Sequence, residues 1–333
     1  MNPDGGGGVP RTAGIRNETG EDGKIMITGL SAGVLWALDT VILGIALSMT
    51  PFVSAGQAVA LAPFVSTFLH DACSSLWMLL YMGVRRQWRQ TFRALKTRSG
   101  RFILLGALLG GPVGMTGYVY AIHSIGPAYT AVISSVFPAV GALLSWVFLK
   151  ERMRPLQIAG LAVSILGVMA LGYAPGSARP EHAAFGFACA LLCCFGWAAE
   201  AVICAWGMRD PDVSNEQALQ LRQLTSALVY GVVLLNVFRG WGLTTAALTA
   251  AAFPVVALSA LFGTASYLFY YKAIKTIGAA KAMALNITYS AWSILFSLIL
   301  LGTMPDLKST VCAVAILGGS VLAGTDLKEL TAR

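Results

Sequence analysis

Residues 118–128 of the chain read YVYAIHSIGPA, and residues 270–280 read YYKAIKTIGAA. Six residues (Tyr, Ala, Ile, Ile, Gly and Ala) recur in the same register at an offset of 152. A second match pairs WALD, which ends at Asp39, with WAAE, which ends at Glu200. Two matches in corresponding parts of the chain predict an internal repeat, so the chain divides into two related halves.

Apolar segments of transmembrane length fill both halves. Hydrophobic residues make up 56% of the 333 residues and charged residues only 11%, with a mean hydropathy of +0.71. A membrane-spanning helix needs about 20 largely apolar residues. Windows of this size predict ten spans, at about 25–49, 56–83, 101–123, 127–149, 155–174, 183–206, 214–238, 252–275, 279–301 and 308–325. These runs do not alternate polar and apolar residues as barrel strands do, so we predict an all-α membrane protein.

The repeat and the span count together predict the domain organisation. Each half, 25–174 and 183–325, contains five spans, and an odd number gives the two halves opposite orientations. We therefore predict two five-helix inverted-topology repeats, the architecture of many secondary transporters. Residues 1–24 are polar and rich in glycine, so we expect a disordered cytoplasmic arm, and 326–333 form a short cytoplasmic tail.

Lys and Arg are distributed unequally between the two ends of the predicted spans. With the N-terminus inside, 19 of the 23 basic residues are cytoplasmic, three lie on the opposite side, and Arg222 lies within a span. This asymmetry predicts that both termini are cytoplasmic, in the inner membrane of a bacterial cell. The net charge of +8 is therefore a topology determinant and a candidate contact for anionic lipids, not a nucleic-acid site. Two complete halves in one chain also favour a functional monomer.

Ionisable side chains inside a hydrocarbon layer are costly and usually functional. The predicted spans contain Asp39, His70, Asp71, Glu200 and Arg222, with Asn286 as a further polar residue. We interpret His70, Asp71, Arg222 and Asn286 as a coupling or structural charge network. Glu200 could be a substrate ligand or a structural partner of Arg222, and Asp39 could be a cation ligand, a proton carrier or a residue that lines water.

Aromatic residues lie near the membrane midplane, whereas Trp and Tyr normally gather at the interfaces. A quaternary ammonium has no N–H to donate, so ring faces replace its water, with a carboxylate as counter-charge. This chemistry predicts a substrate site for a small cation. Its candidate residues are Trp36, Asp39, Trp197, Glu200, Tyr267, Tyr271, Tyr289 and Trp292. Each aromatic residue could instead serve only to pack its helix.

Nothing in the sequence indicates an enzyme. The three histidines lie on separate segments, no P-loop is present, and the six cysteines lie in apolar runs without zinc-site spacing. We therefore expect no catalytic residue, no cofactor and no metal.

The sequence resembles the drug/metabolite transporter superfamily, in its EamA-type ten-span branch. The residues that carry this resemblance are IGPA at 125–128, FPA at 137–139 and FLKER at 148–152. Further stretches are similar to the LicB-type choline transporters: HD at 70–71, GPVGM at 111–115, GWAAE at 196–200, LRQLTS at 221–226, AKA at 280–282, LNITY at 285–289, and Trp292.

The resemblance implies that Trp36, Trp197, Tyr289 and Trp292 are cage walls and that Glu200 is the counter-charge. Asp39 departs from the pattern, which has a small residue there, and this leaves room for another cation. We thus predict a secondary active transporter of choline or a similar quaternary ammonium, working by alternating access with a proton or another gradient. The alternative within transporters is an exporter of amino acids or other small metabolites.

Overall fold

A computed structural model of the protein describes residues 15–54, 56–173, 183–209 and 213–324. Over these ranges the chain forms helices and no strand, which confirms the all-α prediction. Ten helices are long and apolar enough to cross a membrane. These spans, numbered 1 to 10 below, are Met26–Leu47, Gly56–Val84, Arg98–Gly126, Val132–Leu149, Pro155–Gly172, Ala183–Gly207, Asn215–Val237, Ala252–Ile277, Ala279–Leu301 and Leu307–Gly324.

The helix of span 1 begins at Ile15, upstream of the predicted start at residue 25. Residues 15–24 are therefore helical, where we expected a disordered arm. Extending a helix that already exists avoids the cost of nucleation, so a polar segment can continue an apolar one. The rest of the predicted arm, the link between the halves and the predicted tail lie outside the described residues.

The backbone repeats itself at the offset found in the sequence. Gly126 (φ 81°, ψ 162°) and Gly278 (φ 88°, ψ 161°) make the same turn ahead of spans 4 and 9. This positive φ favours glycine, which has no Cβ. Both spans are then interrupted at equivalent points, 135–136 and 287–288.

The same offset relates the ends of these spans and the helices that follow. Span 4 ends on Lys150 (φ 60°) and span 9 on Gly302 (φ 68°), both left-handed. Spans 5 and 10 each contain 18 residues with matching bounds. The backbone of spans 4 and 5 therefore recurs in spans 9 and 10, at the offset of the sequence repeat. The opposite orientation of the halves in a membrane stays a prediction.

The connections after spans 2 and 7 match as well. Arg86 (φ 55°) and Arg239 (φ 56°) each make a left-handed turn. A short helix follows in both cases: the first connecting helix, Trp88–Ala94, and the second connecting helix, Trp241–Leu248. Each half thus contains a short helix between its second and third spans.

Helix pairing is reciprocal between the halves. Span 1 packs along span 8, and span 6 packs along span 3. Contacts of this kind bring spans 1, 2, 6, 7 and 8, which belong to both halves, next to one another.

Spans 5 and 10 pack closely through small residues. Ser164 Oγ lies 3.1 Å from the carbonyl oxygen of Ile316 and 2.9 Å from Ser320 Oγ. A Cβ added at Gly160 would lie 2.6 Å from the carbonyl oxygen of Gly319, and one added at Gly319 would lie 2.6 Å from that of Gly160. Small residues of this kind allow membrane helices to approach closely and pack without a hydrophobic driving force.

We expect Gly319→Ala to lower the free energy of unfolding by about 1–3 kcal/mol, because the new methyl group overpacks the contact with span 5. Gly318→Ala is the matched control, since a Cβ at Gly318 meets no atom within 4 Å. Its stability should stay the same or rise slightly with the better helix propensity of alanine. Reversible unfolding in mixed micelles measures both variants, and equal losses would contradict the close contact.

Candidate functional site

Arg222 on span 7 lies at the centre of a buried polar network. Its Nε donates to Glu200 Oε1 on span 6 at 2.9 Å, and its Nη2 donates to Tyr267 Oη on span 8 at 3.1 Å. Its Nη1 lies 3.4 Å from Asp71 Oδ1 on span 2. The guanidinium also stacks 4.7 Å from the centroid of the Tyr267 ring. One side chain therefore connects four spans drawn from both halves.

His70 continues this network to span 1. Its Nε2 lies 3.1 Å from Asp39 Oδ1, and its Nδ1 lies 3.4 Å from Asp71 Oδ1. The Ser259 hydroxyl on span 8 donates to the same oxygen of Asp39. The residues Asp39, His70, Asp71, Arg222 and Glu200, called the charged chain below, thus form one continuous series of contacts.

The charged chain is buried and carries an excess of acid. Each of its five residues is at most 9% exposed. Three carboxyl groups face one guanidinium and one imidazole, so the acidic groups outnumber the basic ones. A buried charge without a partner is strongly unfavourable. The chain is therefore suited to receive one further positive charge.

Glycines on neighbouring spans make room for these carboxylates. A Cβ at Gly110, in the π-helical turn Leu109–Val113 of span 3, would overlap Glu200 Oε2. A Cβ at Gly263 on span 8 would lie 2.7 Å from Asp39 Oδ2 and 2.8 Å from His70 Nε2. Sequence reasoning missed both glycines and Ser259, because a small residue in an apolar span shows nothing of its partner until the helices are packed.

Predicted cage residues form an aromatic cluster beside the charged chain. The ring centroids of Trp36 and Tyr267 are 4.8 Å apart, and those of Trp36 and Tyr289 are 6.1 Å apart. Tyr271 lies 6.0 Å from Tyr267, and its hydroxyl donates to Glu200 Oε1 at 3.2 Å. Trp36, Tyr267 and Tyr289 are only partly buried, so their rings retain accessible surface. Spans 1, 8 and 9 together supply this cluster.

Trp197 lies in a second aromatic group. Its ring centroid is 5.5 Å from that of Tyr118 on span 3 and 5.9 Å from that of Phe137 on span 4. Trp197 is three residues from Glu200, so the two share a helix face. Tyr118 and Phe137 did not figure among the predicted site residues, although Tyr118 opens the repeated stretch of sequence.

Span 9 supplies two polar atoms that are buried without a hydrogen bond. Among the described residues, neither Trp292 Nε1 nor Asn286 Oδ1 has a partner. Nearly all buried polar groups in native proteins are paired, so such atoms indicate an absent ligand or water. They lie on either side of the interruption at 287–288, where the two parts of the span meet.

The geometry bears on the alternatives that the sequence left open. Glu200 is bonded to Arg222, as the interpretation of a structural partner requires, but Tyr271 shares the same oxygen and Trp197 lies one turn away. Asp39 is bonded to His70 and Ser259, in the middle of the network rather than apart from it. Among the described residues no group of His, Cys, Asp and Glu could hold a metal ion.

Comparison with known proteins gives consistent matches. The sequence profile of the EamA-like transporter family matches residues 23–173 and again 184–325. Protein LicB of Haemophilus influenzae is 32% identical over 271 residues, covering 80% of this chain and 85% of LicB. Protein RarD of Salmonella typhi and of Salmonella typhimurium is 32% identical over 97 residues, covering 29% of this chain and 33% of RarD. A crystal structure with 17% sequence identity has a TM-score of 0.71 and covers 93% of this chain and 99% of its own, which shows the fold alone.

We expect Arg222→Gln to destabilise the protein by about 3–5 kcal/mol, because it leaves Glu200 and Asp71 buried without a counter-charge. Adding Glu200→Gln to this variant should restore part of the loss. Arg209→Gln is the control, since this exposed arginine bonds the carbonyl oxygen of Leu149 at 2.9 Å and forms no ion pair among the described residues. Unfolding in mixed micelles tests the three variants, and a double variant no more stable than Arg222→Gln would contradict the pairing.

Proposed function

The chain belongs to the EamA-like transporter family, and from this we propose that it is a secondary active transporter of choline or a similar quaternary ammonium compound. It works by alternating access of two inverted halves in the bacterial inner membrane, as a monomer with both termini cytoplasmic. The observation that carries the substrate class is the acid excess of the charged chain beside a partly open aromatic cluster.

The sign of the charge supports a cation. Three carboxylates with one guanidinium and one imidazole leave negative charge in a buried place, where it is costly. A monovalent cationic substrate would compensate that charge without needing a further residue. An anion would add to the excess, so anionic metabolites are poor candidates.

The chemistry of the walls supports a quaternary rather than a primary ammonium. Ring faces bind a methylated ammonium through their quadrupoles, with about 0.5–2 kcal/mol for each ring. Trp36, three residues from Asp39, supplies such a face together with Tyr267 and Tyr289, which it contacts. The unpaired Trp292 Nε1 and Asn286 Oδ1 could serve a hydroxyl group on the substrate.

Arg222 and Glu200 then form a switch. Arg222 Nε lies 2.9 Å from Glu200 Oε1 and neutralises its charge. When a substrate cation approaches Glu200, Arg222 keeps Asp71 as its second partner, so neither charge is left alone. His70, between Asp71 and Asp39, can carry a proton and thus link substrate binding to a proton gradient.

The position of the site supports alternating access. Asp39, His70 and Asp71 belong to the first half, whereas Glu200, Arg222 and Tyr267 belong to the second. Substrate sites of repeat-built transporters lie near the midplane between the repeats. Rocking of the halves would therefore change access to the site from one side to the other.

One observation favours a second candidate, an exporter of amino acids or other small metabolites. Arg222 next to carboxylates can bind both ends of a zwitterion, because a guanidinium pairs with a substrate carboxylate. Such a substrate must compete with Glu200 and Asp71 for the guanidinium. The aromatic cluster could stack an aromatic amino acid in the same place.

Uptake into proteoliposomes under an imposed pH gradient separates these candidates. Choline, betaine, carnitine and aromatic amino acids are compared as labelled substrates. The proposal expects choline or another quaternary cation to accumulate and to be displaced by its congeners. Accumulation of amino acids, with no effect of choline on it, would favour the exporter.

Trp36→Ala should weaken binding of the quaternary cation by about 1–2 kcal/mol, the range of a desolvated cation–π contact. Trp36→Phe should lose less binding free energy than Trp36→Ala, since a ring face remains. Trp146→Ala is the control, because Trp146 is 54% exposed and lies in Ser145–Leu149, the last turn of span 4. Calorimetric titration of purified protein measures the affinities, and equal losses for Phe and Ala at position 36 would contradict a cage.

Glu200→Gln should weaken binding of choline far more than binding of its neutral isostere, 3,3-dimethylbutanol, because only the cation interacts with the lost charge. Tyr271→Phe is the control: it removes the hydroxyl bonded to Glu200 but leaves the carboxylate in place. Competition binding with both compounds measures the difference. If the folded Glu200→Gln variant binds choline with unchanged affinity, Glu200 is only a structural partner of Arg222. The metabolite exporter would then be the better-supported function.

A further inference from the structure

We propose that the first connecting helix, Trp88–Ala94, and the residues on either side of it form a binding site for an anionic phospholipid. The lipid belongs to the leaflet that we predict to be cytoplasmic. This inference concerns a surface away from the charged chain, and it does not depend on which substrate the protein transports.

The first step of the argument is charge. Seven basic residues and no acidic residue occur between Arg85 and Arg101. All seven side chains are exposed, and none forms an ion pair within the part of the chain that the structure describes. They are Arg85, Arg86, Arg89, Arg93, Lys96, Arg98 and Arg101. Arg89 and Arg93 are four residues apart and share one face of the helix. Such a cluster attracts the phosphate of an anionic lipid.

The second step is an apolar surface next to this charge. The helix packs over a cleft lined by Leu79, Met82, Phe92, Leu95 and Leu224, among others. Trp88 Nε1 donates to the carbonyl oxygen of Leu79 at 2.8 Å, which holds the indole against the end of span 2. Trp88 is nevertheless 53% exposed and Phe92 56% exposed. Acyl chains can cover these rings while the phosphate contacts the arginines.

The third step is an internal comparison with the second connecting helix, Trp241–Leu248. Both helices follow a left-handed arginine and begin with tryptophan, so the repeated fold supplies this element to each half. The second connecting helix has one neighbouring basic residue, Arg239, and no charge from 240 to 251. Basic charge is therefore not required to form the helix. In the predicted topology the first helix lies on the cytoplasmic side and the second on the opposite side, so the basic charge is placed against the leaflet that carries anionic lipids.

Both features together favour a lipid over a soluble anion. Free phosphate or a phosphorylated metabolite would use the arginines but would leave Trp88 and Phe92 uncovered in water. A phospholipid satisfies both parts of the surface with one molecule, its head on the basic residues and its chains on the aromatic rings.

The test is lipid binding to the purified full-length protein, measured by native mass spectrometry. Palmitoyl-oleoyl phosphatidylglycerol should bind more tightly than the phosphatidylethanolamine with the same chains. R89Q/R93Q/K96Q should lower the phosphatidylglycerol affinity at least tenfold, because each basic residue near an anionic surface contributes about fivefold. The matched control K150Q/R239Q/K272Q removes three exposed basic residues elsewhere and should leave the affinity unchanged. Circular dichroism checks that both variants remain folded.

Two further results decide the proposal. Phe92→Ala should weaken the binding of both lipids, since it removes apolar contact without changing the charge. Glycerol 3-phosphate should not displace phosphatidylglycerol. The proposal is overturned if the two triple variants lose affinity equally, if the two lipids bind equally, or if glycerol 3-phosphate competes as well as the lipid does.

Discussion

The pairing of Arg222 with Glu200 and Asp71 is the interaction on which the arrangement of the spans depends. A guanidinium inside a hydrocarbon layer is tolerated only where carboxylates and hydroxyl groups surround it. Here those partners come from spans 2, 6 and 8, so satisfying one charge fixes the relative positions of four helices. Asp71 and Glu200 belong to different halves of the chain. The same contact that stabilises the arginine therefore holds the two halves together at the candidate site.

Aromatic rings and small residues complete this centre in different ways. The Tyr267 hydroxyl oxygen accepts a hydrogen bond from Arg222 and its ring lies against the guanidinium, so Tyr267 links the aromatic cluster to the charged chain. Because Gly110 and Gly263 have no side chain, the backbones of spans 3 and 8 lie directly against the carboxyl groups of Glu200 and Asp39. The buried carboxyl groups thus keep their partners within hydrogen-bond distance, while the rings of Trp36 and Tyr289 remain partly exposed. The charged side chains of the site are closely packed and buried, whereas its aromatic rings keep accessible surface.

Sequence alone predicted the parts of this structure that depend on local composition. The ten spans follow from apolar runs, and the turns at Gly126 and Gly278 lie within the repeated stretches, so both were predictable. The partners of individual side chains were not. In the sequence, a glutamate three residues from Trp197 is equally consistent with a cation site and with an ion pair to an arginine. Only the packed position of span 7 shows that Arg222 is its partner. The contacts of Ser259 and Gly110 depend on packing between spans far apart in the chain, and no local pattern encodes them.

The two halves share backbone turns and interruptions, but the charged side chains at equivalent positions differ. Turns, interruptions and connecting helices recur between the halves, as Arg86 and Arg239 show. Identical halves, however, would place identical charges on both sides of the site, and like charges at close distance repel. Arginine at position 222 of one half and histidine at position 70 of the other instead give the three acids unlike partners. The backbone is thus repeated between the halves, whereas the charged side chains at the candidate site are not.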